Sequence, residues 1–161
     1  MEIKVTIFLN YLEWFAIASF GYIGGVYFAF SFFVMQSLNE LNSTEAIKTM
    51  VAINKVILKS PFMALFFGST FLAFSLLVSS FLMKNFVSLP SLSGAIFLIG
   101  MFLCTAWKNV PLNKELNKFK GTNSESESEA QWSDYYLNWT KWNHVRTAAC
   151  FLSTALLIAN Q

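Results

Sequence analysis

The stretch VTIFLNYLEWFAIASFGYIGGVYFAFSFFVMQSL, residues 5–38, decides the fold class. It carries one charged side chain, Glu13, and is longer than the roughly 20 residues with which a helix spans a bilayer. In hydrocarbon, backbone N–H and C=O groups must be satisfied within the protein, which leaves helices and closed barrels. A transmembrane barrel requires alternating apolar and polar positions, and this stretch has none. It therefore reads as a helix that tilts, bends or projects beyond the membrane. It also runs well past the apolar core of a signal peptide, about 7–15 residues. We expect it to be retained and to serve as the insertion signal.

Three further apolar runs follow, at about 61–83, 92–110 and 135–159. Pro61 suits a first helical turn, where a missing N–H costs nothing, and Pro111 is expected to end the third run. The composition agrees. Of 161 residues, 55% are hydrophobic and only 12% charged, against about 25% charged in a soluble domain. Mean hydropathy is +0.51. A net charge of +2 is too small for a nucleic-acid footprint. The expected fold is all-α: a single integral membrane domain, a four-helix bundle with one amphipathic helix between its first two spans. Cys104 and Cys150 lie inside apolar runs and read as small buried hydrophobes rather than a disulfide framework.

That amphipathic helix is expected at 44–59, capped by Ser43 or Thr44. Lys48, Lys55 and Lys59 fall within about 40° of one another, opposite Ile47, Met50, Val51, Ile57 and Leu58. Such a helix suits the membrane surface and its lipids. The segment 112–134, with GTNSESESEA, reads as a mobile polar loop. Lys48, Lys55, Lys59, Lys108, Lys114, Lys118, Lys120, Lys141 and Arg146 lie on or beside the two long connections, whereas Lys4 and Lys84 lie opposite. The positive-inside rule then places both connections in the cytoplasm and both termini outside, in a plasma (inner) membrane.

Polar residues within the apolar runs are the candidate contacts. Glu13 is either a deep functional carboxylate or a group at headgroup level. Asn54 sits on the aliphatic face of the amphipathic helix, either bonding a neighbouring helix or touching a ligand. Gly21, Gly25 and Ala29, four apart, permit close helix packing, including a homo-oligomer. On the fourth run Trp139, Trp142, Asn143, Arg146 and Cys150 share about 100° of helix surface, while His144 lies about 160° from Arg146. The tryptophans read either as an interfacial belt or as pocket walls. One histidine is a poor basis for a metal site. No motif points to NAD, flavin, ATP or zinc, so no cofactor or metal is predicted.

Four segments in order, VYFAFSFFVMQSL (26–38), INKVILKSPF (53–62), NVPLNKEL (109–116) and WTKWNHVRTAA (139–149), resemble the anthrone oxygenase-like family of small four-helix membrane proteins. Gln36 stands where many members have proline. The resemblance implies oxidation of a lipophilic aromatic such as an anthrone by dioxygen without a conventional cofactor. It also implies roles: His144 as base, with Arg146, Asn143 and Asn113 as oxyanion partners. Trp139, Trp142 and phenylalanines such as Phe28 would form the aromatic slot, and Ser31, Asn54 and Glu13 further substrate contacts. The alternatives are a non-enzymatic membrane protein binding a lipid or quinone-like molecule, a partner subunit, or a channel formed by assembly.

Overall fold

The computed structural model describes residues 2–119, 121 and 124–161, with side chains from Ile7 onward. Lys120 and the side chain of Lys4, both used in the charge count above, lie outside the described part, as do Thr122 and Asn123. Every described element is helical. The deciding stretch forms α1 (Glu2–Ala29), a π-helical turn at Phe30–Val34 and α2 (Met35–Asn39), without a break. There follow α3 (Ser43–Ile57), α4 (Phe62–Leu82), α5 (Leu89–Phe97), π-helical turns at Leu98–Leu103 and Thr105–Asn109, α6 (Val110–Leu116) and α7 (Glu125–Ile158).

Three helical stretches are long and apolar enough to cross a membrane: Ile7–Asn39, Phe62–Leu82 and Leu89–Leu116. The fourth expected span, 135–159, is the C-terminal part of α7 but is not among them. Asn138, Lys141, Asn143, His144 and Arg146 hold its hydropathy down. In space α1 packs on α4 and α7, and α5 packs on the same two helices. The order α1–α4–α5–α7 thus closes a ring. Its core is a stripe at spacings of three and four, Leu12, Ala16, Phe20, Ile23 and Tyr27, which meets Phe66, Leu76, Phe97, Met101 and Leu157. Phe20 stacks on Phe97 with centroids 3.7 Å apart.

Several expectations are corrected. Pro111 does not end the third helical stretch. The π turn before it carries the ladder five residues back, Val110 N–H to Thr105 O. Proline, having no N–H, then sits in the first turn of α6, where none is needed. The segment 112–134 is not a loop throughout: α6 reaches Leu116 and α7 begins at Glu125. A capping box explains that start. The Ser124 N–H donates to Glu127 Oε2 at 2.9 Å and the Glu127 N–H to Ser124 Oγ at 3.3 Å. The cap of α3 is Asn42, whose Oδ1 accepts from the Glu45 N–H at 2.9 Å, not Ser43 or Thr44. The apolar face of α3 is covered by protein: Ala46, Ile47 and Met50 form a second core with Met35, Leu38, Leu116, Trp132, Tyr135 and Trp139. The lysines Lys48, Lys55 and Lys59 are exposed, as expected.

Close helix approach falls on other glycines than the row expected. A Cβ on Gly94 would lie 2.6 Å from the Ala73 carbonyl oxygen, and one on Gly100 would lie 2.5 Å from Ala149 Cβ. Gly24 comes nearly as close to Cys150, at 3.0 Å. Gly21 faces Thr154 at 3.9 Å, and Gly25 has nothing within 4 Å.

Candidate functional site

The site starts on one face of α7. Asn143, Arg146, Thr147 and Cys150 recur at spacings of three and four, and all four are buried. Arg146 is only 4% exposed. Taking a guanidinium out of water costs several kcal/mol, so its surroundings must offset that. Its Nη2 donates to Asn143 Oδ1, and its Nη1 lies 3.4 Å from Thr105 Oγ1 in the second π turn of the third helical stretch. Its Cζ stands 4.2 Å from the Tyr27 ring centroid and 5.0 Å from that of Trp139. Two ring faces, one from α1 and one from α7, thus hold the cation by cation–π attraction.

Asn143 is fixed in turn. Its Nδ2 donates to the Tyr27 carbonyl and to Ser31 Oγ, each at 2.7 Å. Thr147 Oγ1 donates to the Asn143 carbonyl at 2.9 Å, so Ser31 is the donor in the 3.2 Å contact with Thr147. The hydrogen bonds run in a loop, Asn143 to Ser31 to Thr147 and back to Asn143. They leave Asn143 Oδ1 to the guanidinium. Ser31 reaches this loop from the π turn at Phe30–Val34.

What the guanidinium lacks is a carboxylate. Among the described residues the single ion pair is Lys118 with Glu115, on the surface. Arg146 borders a cavity of about 340 Å³, within the range of small-molecule sites. Tyr27, Phe30, Phe62, Phe66, Phe102 and Trp139 give it aromatic walls; Asn54, Thr105, Asn113 and Arg146 supply the polar groups. No acidic side chain and no histidine is among its lining residues. Three lining residues carry buried donors without an acceptor: Asn54 Nδ2, Trp139 Nε1 and Arg146 Nε. Buried polar atoms are rarely left unpaired. A wall with surplus donors and a net positive charge suits an electron-rich, anionic ligand.

The structure thus brings together Arg146, Asn54, Asn113 and Trp139, with Asn143 and Ser31 holding Arg146 from behind. Asn113 Oδ1 accepts from Tyr135 Oη at 2.8 Å. The other candidates lie elsewhere. His144 is exposed, its ring 5.4 Å from that of Phe32, because one position along α7 turns it out of the Asn143 face. Phe28 is exposed beside Phe32, at 4.6 Å. Trp142 is half-buried with Lys108 Nζ 4.8 Å from its ring, outside the cavity. Glu13, far along α1, accepts from the side chains of Asn160 and Gln161 at 3.0 and 2.8 Å. Tyr27 and Thr105 escape a reading of the sequence. The one available signal is that Tyr27 continues the stripe Leu12, Ala16, Phe20, Ile23 and so brings a polar ring into the core.

The chain matches the family model described as anthrone oxygenase over residues 55–156. No curated protein matches the chain, and no solved structure does. The matched span exceeds half of the chain and contains Asn113, Trp139, Asn143 and Arg146. The buried cation and its carrier helix therefore lie in the part that the family shares, and the chain belongs to the anthrone oxygenase family.

Proposed function

We propose that this chain is an integral membrane protein that binds an anthrone-type aromatic as its enolate and promotes its reaction with dioxygen. One observation carries the reading: Arg146, buried and without a carboxylate, borders an aromatic cavity. Loss of one proton from the CH2 of an anthrone delocalises charge onto the ketone oxygen across the ring. A fixed cation beside that oxygen favours the charged form, as an oxyanion hole does. The electron-rich carbon then adds dioxygen. Loss of water from the peroxide leaves a second carbonyl, so one anthrone and one O2 give one anthraquinone and one H2O. With no carboxylate or imidazole on the cavity wall, Arg146 acidifies the substrate and solvent at the mouth accepts the proton. His144, on the outer surface, has no part in this scheme.

The four long helical segments would form the membrane bundle, with the C-terminal part of α7 as a fourth span shielded by the other three. The test is oxygen uptake by the detergent-purified protein with anthrone, read against anthraquinone absorbance. One O2 consumed per anthraquinone, at a rate well above the protein-free reaction, supports the reading. Tight anthrone binding without added turnover would support instead a non-enzymatic binder of quinone-like molecules. The lack of a general base on the cavity wall favours that second reading.

A further inference from the structure

The aromatic cavity continues outward. A second hollow, of about 230 Å³, shares Asn54, Ile57, Leu58, Val110 and Asn113 with it. This hollow runs between α3 and α6, and its outer part is bordered by Lys55, Lys114 and Asn117, all exposed. No acidic side chain borders it, and among the described residues neither lysine is in an ion pair. The nearest carboxylate in sequence, Glu115, is held by Lys118 at 2.6 Å. One path therefore has an unneutralised guanidinium at its inner end, apolar side chains and two amides along it, and two unneutralised ammonium groups at its rim.

We propose that the ligand is a two-headed anion, and this rests on the anthrone-type reading above. Its enolate oxygen lies at Arg146, and a second acidic substituent, a carboxylate or phosphate on the far side of the ring system, lies between Lys55 and Lys114. Charge complementarity carries the proposal. An apolar aromatic with no acidic group would gain nothing from two cations at the end of its slot. A ring-carboxylated one places its charge where water and ammonium groups meet. The lysines are then specificity determinants, and they are reached from the surface where α3 lies.

Anthrone and a ring-carboxylated anthrone serve as probes. Their dissociation constants are measured without oxygen by quenching of tryptophan fluorescence, in a micelle of uncharged detergent. The expected result is a preference of about tenfold or more for the carboxylated probe. It should collapse to about one in K55E/K114E, shrink in K55Q/K114Q, and persist in K84Q, whose lysine lies at the opposite end. High salt should shrink the wild-type preference without any substitution. Equal affinities, or a preference untouched by both lysine pairs and by salt, would overturn the proposal while anthrone binding kept the enolate site. If neither probe binds, both readings fall together. If the lysine pairs alter only retention on phosphatidylglycerol vesicles and not the preference, the lysines are headgroup anchors and the proposal is overturned.

Discussion

At the scale of single residues, charge and its neighbours decide. Replacing Arg146 with methionine keeps much of the volume and removes an uncompensated buried ion. Such exchanges are often neutral or stabilising, by about 1–4 kcal/mol, yet the oxyanion partner is lost, which costs roughly 100- to 1,000-fold in turnover. R146M should therefore melt no lower than the parent and oxidise anthrone hardly at all; a lower melting point with intact turnover would count against the site. N143A behaves in the opposite way. It removes the acceptor of Arg146 Nη2 and two donated bonds to α1 and its π turn, and should destabilise by roughly 3 kcal/mol in chemical denaturation. H144A should leave both melting point and turnover within about twofold of the parent, as surface changes usually do. That His144 faces outward was legible: 160° of helix separates it from Arg146. What could not be read was which of the two faces the ring would close upon. That depends on Tyr27 and Thr105, distant in sequence, meeting the guanidinium.

At the scale of elements, periodicity gave away type better than ends. Each apolar run is a helix because nothing else satisfies its backbone, and the runs read from composition alone appear close to their expected places. The start of α7 was misread because SESESEA is low in complexity, although Ser124 with Glu127 three residues on is a capping box. S124A should fray that end by about 1 kcal/mol, seen as faster amide exchange over residues 125–132 and unchanged exchange near Arg146. Which glycines carry helix contacts was also hidden, since a row of small residues does not name its partner. Gly94→Ala sets a methyl against the backbone of α4, which cannot yield cheaply. It should cost about 1–3 kcal/mol, whereas Gly25→Ala, with open space around it, should cost nothing measurable by the same denaturation.

At the scale of the whole molecule, the ring of α1, α4, α5 and α7 puts the aromatic cavity and the lysine rim toward one end and Glu13, with Asn160 and Gln161, at the other. If the lysine count sets orientation, a cysteine at Ser126 reacts with an impermeant maleimide only after the membrane is opened, and one at Val87 reacts in intact cells. The reverse pattern would turn the molecule over and put the mouth of the cavity outside.

The π turns reach further than their size. Each holds one residue more than an α-helical path needs, and they lie in the two stretches that supply Ser31 and Thr105. Removing a single residue from Leu98–Leu103 would straighten that stretch and swing all that follows by about 100°. Thr105, Asn109, Val110 and Asn113 would leave their present neighbours, while span length and hydropathy stayed almost the same. Relatives of this chain that look alike in a hydropathy trace can thus own differently furnished cavities, and a one-residue gap at these turns is where a change of ligand would be written.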